Sequence, residues 1–536
     1  MDQIEVYIIL LGIIALVGVV FQKSTIPLSL LLVMVGMLLS YVPSFPQISL
    51  NPDLVLKLFL PLLIYHVSID TSWRDVLKNI QPIILLSIGH VLFITLIVAV
   101  SVHYLFPEIS WPLACVIGAV ISPPDDVAIV SVAQKIRLPK RIITILKGEG
   151  MFNDATSLIL FRFSLAAVIS HQFVLFNAVT NFLYIVIGEA VYGIILGYLL
   201  GELRIKINDP ILQMIISILT PFLAYLPAEK MGGSGVIATV VCGFITGHYY
   251  LERFTPEVRL TYRAVWRTLG YITQSFLFLL VGLDLRFILD RISAPTSKLI
   301  FMYSLVIVLV VIVGRFIWVW CSTFISHFLI FAHKRKPFPP WQELFIISWA
   351  GMRGGISLAA ALAVPSLPLL SNGINPRDLV VLFVFAVIIA TLLIQGLTLS
   401  WLLKLLGITK FGNQEQINEH ASEIFAQLEI YEVVLHWLAE FKELSKENKK
   451  LSEEIIFRIE FYKTAKNQLE EIITDRNILR NYFENHELNT SISLSLKILE
   501  VERSELMRLW NEKKINHEVK NKLLLKLDFR ARNLAR

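Results

Sequence analysis

Four acidic side chains stand out among those inside long apolar stretches of the sequence, where ionisable groups are rare. Glu149 and Asp154 open a stretch that continues largely apolar to Ala167, and Asp125 and Asp126 lie near the middle of another. A charged group at bilayer depth costs several kcal/mol unless it is paired or faces water. These four positions are therefore the first candidates for ion binding.

The stretch that contains Asp125 and Asp126 is interrupted, because Pro123 and Pro124 precede the two acids. Successive prolines remove backbone donors and force the preceding residue out of the helical conformation. Irregular backbone at membrane depth is tolerated only where it lines a cavity or is covered by protein. In transporters it commonly forms the ion or substrate site.

A second interruption, Ala-Gly-Met-Arg-Gly-Gly at residues 350–355, carries a cation, Arg353, in place of acids. Each break alone has a structural explanation, since a glycine-rich helix can simply pack closely and an arginine near a helix end can extend to the interface. Two interrupted helices in separate halves of the chain are, however, what an inverted-repeat transporter predicts. The pair of breaks together with Asp154 favours a transport site.

Arg315 lies in the middle of a further apolar stretch. An unpaired guanidinium at that depth is implausible, so it requires a buried acid, and Glu149 and Asp154 are the candidates. The two acids are about 140° apart around a helix axis, so they address different partners.

These residues need a membrane-embedded scaffold. Of 536 residues, 55% are hydrophobic and 17% are charged, with a mean hydropathy of +0.67, which is too apolar for a soluble chain of this length. About thirteen apolar stretches are long enough to cross about 30 Å of hydrocarbon. The expected fold is an all-α polytopic membrane protein with two interrupted helices, surrounded by the lipid bilayer.

Charge divides the chain at Lys410. Residues 411–536 contain 22 acidic and 20 basic side chains, whereas residues 1–410 contain 20 acidic and 28 basic ones. We expect a transmembrane transport domain at 1–410 and a helical cytoplasmic tail at 411–536, where apolar residues recur with helical spacing. A regulatory or assembly role is the default interpretation of such a tail. Nucleic acid is not an expected partner, because the basic residues lie in short loops between apolar stretches.

Lys and Arg residues indicate the orientation, because cytoplasmic loops retain them. If the N-terminus is outside, the inner loops carry sixteen of these residues and the outer loops five. An odd number of helices then leaves the tail in the cytoplasm. The predicted location is the cell membrane.

The cysteines give no sign of a secreted disulfide scaffold. Cys115, Cys242 and Cys321 all fall inside apolar stretches. We expect three buried thiols.

Two motifs make the sequence recognisable: Gly-Glu-x-x-x-Asn-Asp at 148–154 and Trp-Ala-Gly-Met-Arg-Gly-Gly at 349–355. From about Pro61 to Gly407 the chain resembles the bacterial NhaP-type sodium/proton antiporters of cation:proton antiporter family 1. The resemblance implies the inverted-repeat antiporter fold, a homodimer, and a six-helix core that moves past a dimerisation layer in an elevator-like manner.

The resemblance also implies roles for individual residues. Asp154 would be the shared cation and proton site, and Asn153 its neighbour that marks the electroneutral branch. Glu149 would pair with Arg315, and Asp125 matches the acid of the family's Thr-Asp-Pro turn.

The sequence departs from the family pattern at two places. Pro124 and Asp126 replace the Thr and Pro that flank the acid of that turn. His66 stands where many members have a glutamate, so we include it among the candidate cation and proton ligands.

The predicted function is secondary active exchange of Na⁺, or of K⁺ or Li⁺, for protons, without a cofactor. A cation channel gated by the tail is the alternative, and coupled exchange in sealed vesicles distinguishes the two. An intramembrane aspartyl hydrolase that uses Asp125 and Asp154 is disfavoured, because the sequence has no Gly-x-Gly-Asp pairing. An ATP-driven motor is also disfavoured, because no Walker-type segment occurs. The protein is therefore not expected to be an enzyme.

Overall fold

The computed structural model describes residues 3–22, 26–42, 45, 51–125, 138–170, 175–250, 253–284, 286, 288, 297–327, 338–365, 375–408, 428, 430–440, 442 and 449–474. The chain divides into two compact units, Met1–Gly412 and Asn413–Arg536. The described residues are helical or irregular, with no strand among them.

The first unit contains fifteen helices in its described part. They are α1 (Gln3–Val20), α2 (Leu28–Ser40), α3 (Pro52–Asp70), α4 (Trp73–Lys78), α5 (Ile80–Leu105), α6 (Trp111–Ile121), α7 (Lys140–Ser170), α8 (Leu175–Ile205), α9 (Pro210–Lys230), α10 (Val236–Tyr250), α11 (Pro256–Leu283), α12 (Ser297–Ile325), α13 (Trp341–Trp349), α14 (Gly355–Leu362) and α15 (Pro376–Leu405). Single π-helical turns interrupt α3 at Val55–Phe59 and α5 at Leu85–His90.

Eight of these helices are long and apolar enough to cross a membrane, namely α3, α5, α7, α8, α9, α11, α12 and α15. Four more, α1, α2, α6 and α10, are apolar but shorter. The apolar stretch around residues 344–364 forms the two half-helices α13 and α14 instead of one continuous span. The first unit is thus the all-helical membrane protein that the composition predicts.

The structure contains both interruptions. α6 ends at Ile121, and residues 122–125 are not helical because Pro123 and Pro124 have no N–H to donate. Asp126 lies outside the described residues. Between α13 and α14, residues 350–354 leave the helix, and Gly354 is extended (φ −120°, ψ −179°).

Small residues allow the helices to approach one another closely. Gly36 of α2 and Gly282 of α11 lie backbone to backbone, so a Cβ on either would overlap the main chain of the other helix. Such contacts are typical of membrane helices, which gain stability from packing rather than from expulsion of water.

Exposure within the first unit corrects one expectation from the sequence. Cys242 is buried and Cys115 is half-buried, but Cys321 on α12 is exposed. The expectation of three buried thiols was wrong for Cys321, because the outer surface of a membrane protein is itself apolar. An apolar stretch therefore does not indicate the protein interior.

The second unit is helical in its described part. Residues 430–440 form α16 and Lys449–Thr474 forms α17. Tyr431 packs edge-on against Tyr462, and Lys466 donates to Glu432 at 2.7 Å. This contact between a cation and a carboxylate raises the pKa of the Lys466 side chain.

Candidate functional site

A cavity of about 50 Å³ lies where the first interruption meets α7. Its polar lining comes from Asp125, Asp154, Gln274 and Ser357. The rest of the lining is apolar or glycine, contributed by α3, α7, α11, α14 and the two interruptions. Two carboxylates therefore meet a confined, mainly apolar space.

The two interruptions touch each other at this cavity. The backbone N–H of Asp125 donates to the carbonyl of Met352 at 2.6 Å. The Asp125 carboxylate lies directly against Gly354, where an added Cβ would overlap it. On the other side of the second interruption, the N–H of Arg353 donates to the Thr391 hydroxyl at 3.1 Å. Bonds between and around the broken segments satisfy backbone groups that the missing helical turns leave without partners.

Asn153 connects α7 to the first interruption. Its side chain is fully buried, and Nδ2 donates to the carbonyl of Pro124 at 2.8 Å. One turn further along α7, the Ser157 hydroxyl donates to the carbonyl of Ala119 at 2.8 Å. Asn153 does not line the cavity. It contacts the first interruption through the backbone carbonyl of Pro124.

Glu149 does not line the cavity as Asp154 does, and it pairs with an arginine of another helix. Arg315 of α12 donates to it through two parallel bonds, Nη1 to Oε1 at 2.6 Å and Nη2 to Oε2 at 2.8 Å. Arg315 Nε donates to the carbonyl of Ile347 at 3.1 Å, and the side chains of Arg315 and Glu149 are each 1% exposed. A two-bond arginine–carboxylate contact without water is geometrically specific and strong. It joins α7, α12 and α13.

A histidine that the sequence analysis did not consider lies beside this pair. His90, at the end of the π-helical turn in α5, is fully buried, and its Nδ1 is 4.0 Å from Glu149 Oε1. Neither ring nitrogen has a hydrogen-bond partner within the described part of the chain. Its position at a π-helical turn is a signal that only the structure provides, since such turns concentrate at functional sites.

Arg353 is buried as well, with 1% of its surface exposed. None of its guanidinium nitrogens has a hydrogen-bond partner among the described residues. It lies within electrostatic range of Arg315 and Glu149. The second interruption therefore brings a positive charge close to the Glu149–Arg315 pair.

Among the described residues, His66 is the one predicted ligand that neither lines the cavity nor forms a hydrogen bond with a residue that does. Its ring packs against Gly270 of α11, and its Nδ1 is buried without a hydrogen-bond partner among the described residues. The next residue, Val67, lines the cavity, whereas His66 does not. The structure thus brings Asp125 and Asp154 together in the cavity, with Asn153 bonded beside them.

Three residues near the site were not singled out from the sequence. Two of them line the cavity, and the third is a charged residue on α7. Gln274 and Ser357 line the cavity, and Arg162 follows Asp154 by two turns on α7. Gln274 and Arg162 each interrupt an apolar run, which was an available signal. Ser357 gives no such signal, because serine is common in membrane helices.

Together, the membrane-spanning helices, the contact between the two interruptions and the carboxylates that line the cavity define a polytopic membrane protein of the secondary-transporter class. The family described as "Sodium/hydrogen exchanger, transmembrane" matches residues 8–405. The chain belongs to this family.

Individual relatives agree with this assignment. A Na⁺/H⁺ antiporter of Aphanothece halophytica, ApNhaP, is 29% identical over 81% of this chain and 80% of its own length. A "Sodium, potassium, lithium and rubidium/H(+) antiporter" of Bacillus pumilus is 29% identical over 70% of this chain, which spans 58% of that relative. The fold is similar to the structure of the sodium proton antiporter MjNhaP1 of Methanocaldococcus jannaschii (TM-score 0.57, 18% identity, 76% of this chain and 100% of that one).

Proposed function

We propose that the protein exchanges a monovalent cation for protons across the membrane and that Asp154 holds either one. The observation that supports this most directly is the cavity beside the interruptions, whose lining includes both Asp154 and Asp125. A carboxylate in a confined site binds a proton or a partly dehydrated cation, but not readily both. Competition for the same oxygen atoms then couples the two fluxes.

Sodium is the cation that we propose first, with K⁺ and Li⁺ as further substrates. The relatives described above are named as sodium antiporters, and the Bacillus pumilus relative is named for potassium, lithium and rubidium as well. Asp125 would complete the cation's surroundings from the first interruption. His66 is proposed to contribute only weakly, because its ring does not line the cavity.

The exchange is proposed to be electroneutral. One negative charge on Asp154 is neutralised either by H⁺ or by Na⁺, so the occupied site carries the same net charge in both directions. Asn153 is consistent with this count, because the residue that precedes Asp154 on α7 is an amide and not a further carboxylate.

The chain is proposed to cross the plasma membrane thirteen times, with the N-terminus outside and the tail in the cytoplasm. The tail is proposed to be a regulatory segment. We also propose a homodimer. The surface of α8 is compatible with a lipid or subunit contact, since only 22% of its most apolar segment is buried, against 72% for α15. Glu149 and Arg315 act in this scheme as a structural pair that holds α7 against α12.

The test is exchange in proteoliposomes under an imposed pH gradient. Asp154→Asn keeps the volume of the side chain but removes the charge, and we expect it to abolish exchange while the protein remains folded. Asp53→Asn, at an exposed acid near the start of α3, is the matched control and should exchange normally. Robust exchange by folded Asp154→Asn would remove Asp154 from the mechanism and direct attention to Asp125 and Asp126.

A further inference from the structure

Arg162 connects α7 to the turn between α9 and α10. Its Nη1 donates to the carbonyl of Gly233 at 2.5 Å, and its Nη2 donates to Glu229 Oε1 at 3.1 Å. The two side chains of the ion pair are 35% and 20% exposed. Arg162 therefore holds two acceptors at once from a partly desolvated position, which makes the contact stronger than an ordinary surface ion pair.

The turn that Arg162 contacts is itself held rigidly from α8. Glu189 is 5% exposed and accepts the N–H groups of Ser234, Gly235 (2.9 Å) and Ile237 (3.0 Å). This carboxylate sits at the N-terminus of α10, where the helix dipole and unpaired N–H groups favour an anion. Gly233 has no room for a Cβ against Glu189. The Gly233 carbonyl that accepts from Arg162 thus belongs to a turn that several hydrogen bonds hold in place.

The Arg162 contact lies on the side of Asp154 that the cavity does not reach. The cavity touches α7 at Gly150, Met151 and Asp154, and none of its lining residues belongs to α9 or α10. Arg162 follows Asp154 by eight residues, which is about 12 Å along the helix axis. Tyr225 of α9, 1% exposed, lies within electrostatic range of Asp154, Arg162 and Glu229. Tyr225 and Arg162 therefore lie on the route from Asp154 toward the α9–α10 turn.

A second tie joins α7 to a neighbouring helix on the cavity side. Lys147, seven residues before Asp154, donates to Asp70 of α3 at 3.2 Å. The Asp70 side chain is 71% exposed. A single bond to an exposed acid contributes little, so the Arg162 contact is stronger than the Lys147 contact.

We propose that Arg162, together with Glu229 and the Gly233 carbonyl, is the gate that closes Asp154 from the side opposite the cavity. The proposal rests on the exchange function, because an exchanger must open its site to each side in turn. Release of Arg162 would free α7 to move past the α9–α10 turn. It would also leave the Glu229 carboxylate unpaired beside the opened route, where its charge would attract an incoming cation.

The experiment measures from which side a cavity residue can be reached, independently of transport. Ser357→Cys, with Cys115, Cys242 and Cys321 replaced by serine or alanine, places one thiol on the cavity wall. Ag⁺, an ion similar in charge to the proposed substrate, is added in chloride-free buffer to one side of oriented vesicles. The thiols that remain unreacted are counted after denaturation.

With Arg162 intact, we expect the thiol to react from the cavity side and slowly from the opposite side. Arg162→Gln should raise the opposite-side rate by about tenfold or more, which is the scale of a lost charged hydrogen bond. Arg162→Lys should give a smaller increase, because it keeps the charge and one bond. Arg141→Gln is the matched control, since it breaks an arginine–glutamate pair (Glu343, 2.7 Å) at the other end of α7 and should not change the sidedness.

Unchanged sidedness in folded Arg162→Gln would overturn the gate. If Arg162→Gln fails to fold, Glu229→Gln removes one of the two acceptors and keeps the arginine. That variant should still raise the opposite-side rate, and no rise would equally reject the proposal. A failure of the exchange proposal would look different. The parent protein would then show no coupled exchange, while the side from which the thiol reacts would still change in the Arg162 variants.

Discussion

Glu149 and Asp154 occur on one helix, five residues apart, yet their surroundings differ in kind. Both oxygens of Glu149 accept bonds from Arg315, and both side chains are buried. Asp154 instead faces a cavity that it shares with Asp125. An acid with a built-in counter-charge is committed to holding helices together, whereas an acid beside a cavity can exchange a proton for a cation. The comparison separates a carboxylate bonded to an arginine from one that lines a cavity, and we propose that only the second takes part in transport.

The largest effect is expected on stability when the Glu149–Arg315 pair is broken. Arg315→Met leaves the Glu149 charge buried without its partner, and removal of one member of a buried pair typically costs about 3–5 kcal/mol. Folded yield and thermal stability in detergent should therefore fall sharply. The double variant Arg315→Met with Glu149→Gln removes both charges and should recover most of the loss. Equal stability of the single variant and the parent would contradict the structural assignment.

An intermediate effect is expected where the second interruption supports the cavity. A Cβ at Gly354 would overlap the Asp125 carboxylate, so Gly354→Ala must displace Asp125 from its place beside Asp154. Overpacking of this kind costs about 1–3 kcal/mol, and we expect the cation KM of exchange to rise by about tenfold.

Gly188→Ala serves as the control for that substitution. The Gly188 position on α8 has open space around an added Cβ. Its cation KM should stay at the parent value. A KM for Gly354→Ala that matches both parent and control would show that Asp125 does not contribute to the cation site.

The smallest effect is expected at His66. Its ring packs against Gly270 and does not line the cavity, so His66→Gln should change the cation KM less than Gly354→Ala does. We expect a change of about twofold or less, with a small loss of stability from the altered packing. A clear shift in the pH dependence or cation preference of exchange, measured for His66→Gln and His66→Glu, would return His66 to the transport site.

Sequence reasoning located the charged residues of the site because such residues are costly in apolar stretches, and it located both interruptions because their prolines and glycines have local effects on the backbone. Charge and periodicity alone left the partner of Arg315 open between two acids, and the family resemblance implied Glu149. Helical periodicity separates two faces but does not say which neighbour each face meets, so only the packing of α7 against α12 shows the contact directly.

Other features depended on tertiary contacts that no local pattern encodes. Glu189 bonds to the start of α10, and His90 lies beside Glu149, through contacts far apart in the chain. Arg162 was overlooked although its charge in a long apolar stretch is the same kind of signal that located Arg315. The exposed thiol of Cys321 was mispredicted because lipid-facing and protein-facing helix surfaces are both apolar.

The central claim is that one carboxylate, Asp154, holds either the cation or the proton, and the dependence of the cation KM on pH tests it most directly. Initial rates of Na⁺-driven exchange would be measured in proteoliposomes at several pH values, with the membrane potential clamped at different levels. Competition for one site predicts that the cation KM approaches a rise of about tenfold for each unit of falling pH, with an unchanged maximal rate at saturating cation and no dependence on potential. A cation KM that stays constant across the active pH range would contradict the account, because protons and cations would then occupy different groups.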